Sequence, residues 1–233
     1  MTSTSKNARV AGFLYLLIAI TAPLRLLYIP STLIVRGDAT ATANNIASHE
    51  SLFRLGIVSD LLTGTIAIFL VLALYRLFKG VDQYLAVLMV ILGGLMVTPI
   101  YFLNTLNDAA ALMFVGGTDL LSAFDKSQLD ALAMLFLRLH DHGVVANEIF
   151  WGLWLFPFGL LVFRSGFLPR FLGVWLVING GAYLILSFMG LFLPRYEEML
   201  SLIALPALLG EVATMLWLVI MGAKERTVKA PAA

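Results

Sequence analysis

LGIVSDLLTGTIAIFLVLALYRLF, residues 55–78, is the stretch that decides the fold. Its 24 residues hold two charges, Asp60 and Arg76, and Arg76 stands near its end. At about 1.5 Å per residue, a helix of this length crosses a hydrocarbon core about 30 Å thick. Working outward, five more runs of this kind appear. The first span is about Val10–Val35, interrupted by Pro23, Arg25 and Pro30. After the second, Leu55–Phe78, come about Tyr84–Leu106, Val144–Phe163, Phe171–Leu193 and Leu202–Met221. The expected fold is all-α: a polytopic membrane helical bundle of about six transmembrane helices in three hairpins, one membrane domain over residues 1–233.

Composition agrees. The chain is 61% hydrophobic and 12% charged, with mean hydropathy +0.95. A soluble domain carries about 25% charged residues. A net charge of +1 lacks the basic face of a nucleic-acid binder. The absence of cysteine removes disulfides, thiolate metal sites and cysteine nucleophiles. Lys6 and Arg9 precede an apolar run without a convincing small-residue cleavage site. That run is read as a first membrane helix that stays, not as a cleaved signal.

Orientation follows from lysine and arginine near the span ends. One side gathers Lys6, Arg9, Arg76, Lys79, Arg164, Arg170, Lys224, Arg226 and Lys229, together with the short connections 79–83 and 164–170. The other holds Arg36, Arg54, Lys126 and Arg195, and most of the acid, including Asp38, Asp108, Asp119, Asp125, Glu197 and Glu198. Both termini are therefore expected in the cytoplasm, in a cell (inner) membrane. Between the third and fourth spans, residues about 107–142 form an outer amphipathic segment. Asp125 and Gln128 have the spacing of an N-cap and capping box. A helix running from there to Phe163 would be about 57 Å long, more than a bilayer needs. A break at Gly143 is expected, with an outer helix near Lys126–His140. A re-entrant segment is the alternative.

Charge inside a membrane costs about 2.5–3.5 kcal/mol per residue on insertion scales and is usually retained for function. Arg25, Asp60 and Glu148 each stand 16 residues from a basic residue at the opposite end of their span (Arg9, Arg76 and Arg164), and Glu211 stands 13 from Lys224. Counted this way, the four charges share one layer, roughly 20–24 Å from the inner surface. One base among three acids is neutral only if acids are protonated or a cation binds. The functional reading is a pocket open to the outer face, built from Arg25, Asp60, Glu148 and Glu211. Against it stands a helix clamp, in which Arg25 pairs with one acid. Asn104, Asn107, Asp108, Arg138 and Asp141 map near a second, higher cluster, as do all three histidines, His49, His140 and His142. His-x-His with carboxylates binds zinc where the backbone is extended. On a helix, residues two apart point about 200° apart, and one ion could not take both.

Trp151, Trp154, Trp175 and Trp217 read as packing or lipid contacts, not a ligand cage. Pro23, Pro99, Pro157 and Pro206 fall inside spans. Broken helices mark transporters, but proline is also frequent in ordinary membrane helices. No nucleotide-binding loop, dinucleotide fingerprint, Gly-x-Ser-x-Gly elbow or zinc-protease motif is present. Nothing implies a cofactor.

Several stretches carry a family likeness: Arg9-Val-Ala-Gly12-Phe-Leu-Tyr15, Phe53-Arg54, Leu74-Tyr75-Arg76-Leu77-Phe78, Phe150-Trp151-Gly152-Leu153-Trp154-Leu155-Phe156-Pro157-Phe158-Gly159 and Ser165-Gly166-Phe167-Leu168-Pro169-Arg170-Phe171-Leu172-Gly173. They resemble domain-of-unknown-function family 4386. The resemblance implies a bacterial inner-membrane protein of about six helices, and brings no catalytic residues with it.

Three functions are open on the sequence. The first is binding or transport of a small polar or amphiphilic ligand, such as a lipid head group, with Arg25 holding its negative group and the acids setting proton or cation coupling. The second is an intramembrane metal-dependent enzyme acting on lipid through His140 and His142. The third is a structural or regulatory subunit. The expected partners are the bilayer and a lipid or amphiphile, not nucleic acid.

Overall fold

A computed structural model describes residues 3–117, 121–193, 195 and 197–224, and all regular secondary structure among them is helical. Asp119, Arg226 and Lys229, and the side chains of Glu197 and Glu198, lie outside the described residues. The elements are α1 (Ser3–Pro23), a π-helical turn (Leu24–Tyr28), α2 (Ile29–Leu33), α3 (Ala39–Ser48), α4 (Glu50–Phe78) and α5 (Gln83–Val90). A second π-helical turn (Ile91–Met96), α6 (Val97–Gly116), α7 (Lys126–Ser165), α8 (Arg170–Phe192) and α9 (Glu197–Ile220) complete them. Among the described residues, six helical stretches are long and apolar enough to cross a membrane: Ser3–Leu33, Glu50–Phe78, Gln83–Gly116, Lys126–Ser165, Arg170–Phe192 and Leu202–Ile220. Each overlaps a run expected from the sequence.

The first and third stretches owe their π turns to proline. Pro23 has no N–H for the helical ladder, and the chain widens after it, with the Ile29 N–H bonding to the Leu24 carbonyl. Pro99 likewise gives no N–H to Leu95, within the widened turn Ile91–Met96. Pro157 and Pro206 sit inside helices that continue past them.

Two expectations about the third and fourth spans need correction. The third does not end at Leu106, since α6 continues to Gly116 and carries Asp108 within it. The fourth is not preceded by a break at Gly143, since α7 runs unbroken through its 40 residues. Asp125 and Gln128 do form the reciprocal box at its start: the Gln128 N–H donates to Asp125 Oδ1 at 2.9 Å and the Asp125 N–H to Gln128 Oε1 at 3.0 Å. The Ser127 hydroxyl (2.7 Å) and the Gln128 N–H hold the exposed Asp125 carboxyl below the usual range. Gly143 serves packing instead. A Cβ there would fall on the side chain of Asn104, whose Nδ2 donates to the His140 carbonyl at 3.2 Å.

The chain divides into two compact units. One comprises Met1–Leu16, Ala67–Met96 and Glu148–Ala233. Small residues bring its helices together. A Cβ on Gly152 would meet the Gly180 carbonyl at 2.7 Å, and one on Gly159 the Gly173 carbonyl at 2.6 Å. These paired positions let α7 and α8 pack backbone to backbone. Gly12 lies as tightly on Leu218 and Val219 of α9, and Gly93 on the Trp154 ring. Trp154 also stacks on Phe158 with centroids 5.2 Å apart, and the Trp175 Nε1–H donates to the Pro206 carbonyl at 3.0 Å. These tryptophans pack, as the sequence suggested.

The other unit comprises Leu17–Ile66 and Val97–Asn147. Its apolar core joins Ile29, Leu33, Ile46, Phe53, Ala111, Ala133 and Leu137. The helix α3 was not expected. It follows a turn at Gly37, whose φ is 83°, and Asp38 caps it by accepting from the Ala41 N–H at 2.8 Å.

We expect Gly143→Ala to lower stability by about 1–3 kcal/mol through overpacking, outweighing a gain of about 1 kcal/mol in helix propensity. Adding Asn104→Ala should return part of the loss. Thermal unfolding in detergent measures both. A Gly143→Ala protein as stable as wild type would refute the packing role.

Candidate functional site

Four titratable side chains meet inside the unit formed by Leu17–Ile66 and Val97–Asn147. Arg25 comes from the π turn after Pro23, and its stem lies against Gly56, where a Cβ would stand 3.3 Å from Arg25 Cδ. Asp60 follows one turn later on α4. Asp108 comes from α6, four residues after Asn104, and His140 from α7. All are buried: Arg25 is 1% exposed, Asp60 4%, Asp108 0% and His140 2%.

Arg25 and Asp108 form a two-pronged ion pair, Nε to Oδ2 at 2.6 Å and Nη2 to Oδ1 at 2.7 Å. Such fork-to-fork pairing is the strong form of the arginine–carboxylate bond. His140 stands between the two acids. Its Nδ1 lies 3.2 Å from Asp108 Oδ1, and its Nε2 lies 3.9 Å from Asp60 Oδ2. The second distance exceeds a direct hydrogen bond. Asn104 fixes the histidine's backbone through the carbonyl bond described above. Around the cluster, the Ser59 hydroxyl donates to the Thr21 carbonyl at 2.6 Å, and the Thr21 and Thr63 hydroxyls are 2.8 Å apart.

The charge count is informative. Arg25 neutralises Asp108. The remaining pair, Asp60 and His140, is neutral when it holds one proton beyond that of neutral imidazole, on either member. Asp141, next to His140 on α7, adds a further negative group that acts on Arg25 and His140. The two ring nitrogens face different carboxylates, so the imidazole can pass a proton between its edges.

Asp60, Asp108 and His140 could also be read as ligands, since one atom of each lies within 4.8 Å of the others. The donor set fits a divalent ion poorly. Both Asp108 oxygens are taken by a guanidinium, which would sit beside the ion as a like charge.

The residues singled out from the sequence divide as follows. Arg25, Asp60, His140 and Asn104 come together. Arg138, Asp141 and His142 are exposed on α7. His49 is exposed, with Nδ1 3.0 Å from the Asn45 carbonyl. His140 turns inward to two aspartates while His142, two residues on, faces out, the divergence that a helix imposes on a His-x-His pair. Glu148 and Glu211 belong to the other compact unit, where Glu211 accepts from the Tyr15 hydroxyl and, at 3.4 Å, from Asn179 Nδ2. The residue that sequence reasoning left out of its site is Asp108. The signal was present in Asn104 and Asp108, four apart on one helical face, but the third span had been ended before it.

Fold and site thus define an all-helical protein suited to a multi-pass membrane protein, with a buried Arg–Asp–His–Asp cluster. Residues 10–222 match the family described as Domain of unknown function (DUF4386), and the chain belongs to that family. An uncharacterized protein of Archaeoglobus fulgidus is 36% identical over 76 residues, covering 33% of this chain and 44% of the relative. The chain thus matches less than half the length of that relative. No solved structure matches.

Removing one member of a buried ion pair strands the other, typically at about 3–5 kcal/mol. Asp108→Leu should destabilise the protein by that amount, and Arg25→Leu/Asp108→Leu by clearly less. Chemical unfolding in micelles reads the difference. Equal losses would mean that Arg25 does not depend on Asp108.

Proposed function

We propose that this is a multi-pass protein of a cell membrane that binds or transports a small polar or amphiphilic ligand, with a proton handled by Asp60 and His140. The observation that carries the reading is the buried imidazole set between two carboxylates, one locked by Arg25 and the other 3.9 Å away without such a lock. Chains of acid and histidine inside membranes serve as proton relays. The proposed topology is three hairpins with both termini in the cytoplasm of an inner membrane, supported by the lysine and arginine bias of the span ends. The stretches Gln83–Gly116 and Lys126–Ser165 have 34 and 40 residues, more than a bilayer core requires. Their excess, residues about 107–142, is assigned to the outer face of a single membrane domain, which puts the cluster at the outer end of the spans.

Arg25 is committed to Asp108 in this conformation, so the ligand's negative group is assigned to Arg25 only in a state that releases Asp108. The structural reading is favoured by one observation, the Arg25–Asp108 pair, which alone would serve as a clamp between the first and third spans. The metal-dependent enzyme is disfavoured by the donor geometry.

Infrared titration in lipid tests the relay. Wild type should show a protonated-carboxyl band that titrates, Asp60→Asn should remove it, and His140→Gln should move its midpoint by more than about one pH unit. A band unchanged in Asp60→Asn would sink the relay. Native mass spectrometry tests the ligand. Wild type released in mild detergent should carry a discrete extra mass that Asp60→Asn lacks, and bare masses for both would hand the lead to the clamp.

A further inference from the structure

A second polar feature lies in the unit that includes Ala67–Met96 and Glu148–Ala233, and the proposed function does not use it. A cavity of about 550 Å³ opens where α4 ends and α5 begins. Tyr75, Arg76, Lys79, Gln83, Thr4 and Phe167 are among its lining residues. The volume lies within the range of roughly 300–1,000 Å³ typical of small-molecule sites.

Its electrostatics are unbalanced. Arg76 in the last turn of α4 and Lys79 just past its end are exposed and three residues apart, and the Lys79 N–H still bonds to the Tyr75 carbonyl at 2.8 Å, so they project to the same side. The acid of the adjoining turn is Asp82, and it is already engaged. Its Oδ2 accepts from Arg164 Nη1 at 3.1 Å, and its Oδ1 caps α5 by accepting from the Leu85 N–H at 3.1 Å. Among the described residues, neither Arg76 nor Lys79 has an ion pair of its own. The cavity therefore presents two uncompensated cations.

Its other wall is apolar and rigid. Phe167 is buried, stacks on Phe78 with centroids 5.6 Å apart, and is held by its carbonyl, which accepts from the Lys224 N–H at 3.1 Å. Leu77 lines the same wall. Cations beside a fixed apolar wall, at the ends of two membrane-crossing helices, match an amphiphile with a negative head. Juxtamembrane lysine and arginine attract anionic lipid by about 1 kcal/mol each near a charged surface.

We propose that this cavity binds the phosphate of an anionic phospholipid headgroup, with Arg76 and Lys79 on the phosphate and Phe167 and Leu77 against the glycerol–acyl stem. The test uses the full chain in mild detergent, with thermal unfolding followed in phosphatidylglycerol, in phosphatidylcholine of the same chains, and in inorganic phosphate. Phosphatidylglycerol should raise Tm by roughly 4–8 °C over phosphatidylcholine. Arg76→Gln/Lys79→Gln should lose most of that shift. Lys6→Gln/Arg170→Gln, which removes the same charge from the same unit, should keep it. If the first double variant fails to fold, Arg76→Lys/Lys79→Arg should keep the shift and Lys79→Gln alone should reduce it. Equal Tm in the two lipids, or a full shift in Arg76→Gln/Lys79→Gln, overturns the proposal. A shift reproduced entirely by inorganic phosphate overturns the lipid assignment and makes the occupant a soluble anion.

Discussion

A guanidinium that water cannot reach must be neutralised where it stands, and Arg25 is such a group. Taking an ion of this size out of water costs several kcal/mol even after relaxation, and only a partner with near-ideal geometry offsets it. Asp108 supplies two bonds at 2.6 and 2.7 Å. Much of the surrounding architecture is the condition for those bonds. The π turn after Pro23 sets the direction from which Arg25 arrives. Gly56 leaves space for its stem. The continuation of α6 past Leu106 brings Asp108 into the buried interior, and Gly143 lets α7 approach closely enough for Asn104 to hold the His140 backbone.

The two compact units cohere by different physics. In the unit containing α8 and α9, the close contacts are glycine against backbone and tryptophan against glycine, with Glu211 bonded by Tyr15 and Asn179. Lipid offers no hydrophobic drive to bring helices together, so packing that admits backbone contact has to supply it. Gly152, Gly159 and Gly173 fall within the stretches that resemble the family, which gives those residues a physical reason to be glycine. In the other unit, an apolar core is joined to a polar cluster in which Arg25, Asp108 and His140 lie within bonding distance of one another and Asp60 stands 3.9 Å from the imidazole. There the constraint is electrostatic, and it is stricter, because each buried charge needs a partner placed for it.

This difference explains what the sequence could reveal. Six apolar runs were legible because hydropathy needs no knowledge of contacts. The Asp125–Gln128 box was legible because capping is local. Arg25, Asp60 and His140 stood out as charge or titratable groups in apolar surroundings. The pairing was not legible. Asp108 was placed in a second cluster above Arg25 because a span was drawn to bilayer length, whereas α6 is longer than the bilayer requires. Gly143 was misread because glycine has two meanings in a helix, a weak point and a place of contact, and only the facing residue decides between them. The layer of four charges was inferred from sequence distance alone. Depth along a helix says nothing about azimuth, and so could not tell that Arg25 would choose Asp108.

A clamp between two spans requires one base and one acid, and Arg25 with Asp108 is complete as such. Asp60 and His140 add two more titratable groups to the same buried volume, and their desolvation is not needed to hold the helices. A shape-equivalent apolar pair would pack there without that cost. What the extra pair contributes is a choice of where one proton resides, at nearly constant net charge, on groups 3.9 Å apart. A gap longer than a hydrogen bond but shorter than two leaves neither position locked. The Arg25–Asp108 pair then has a second consequence. By fixing the far edge of the imidazole through Asp108 Oδ1, it holds the other edge toward Asp60, so the rigid half of the cluster orients the labile half.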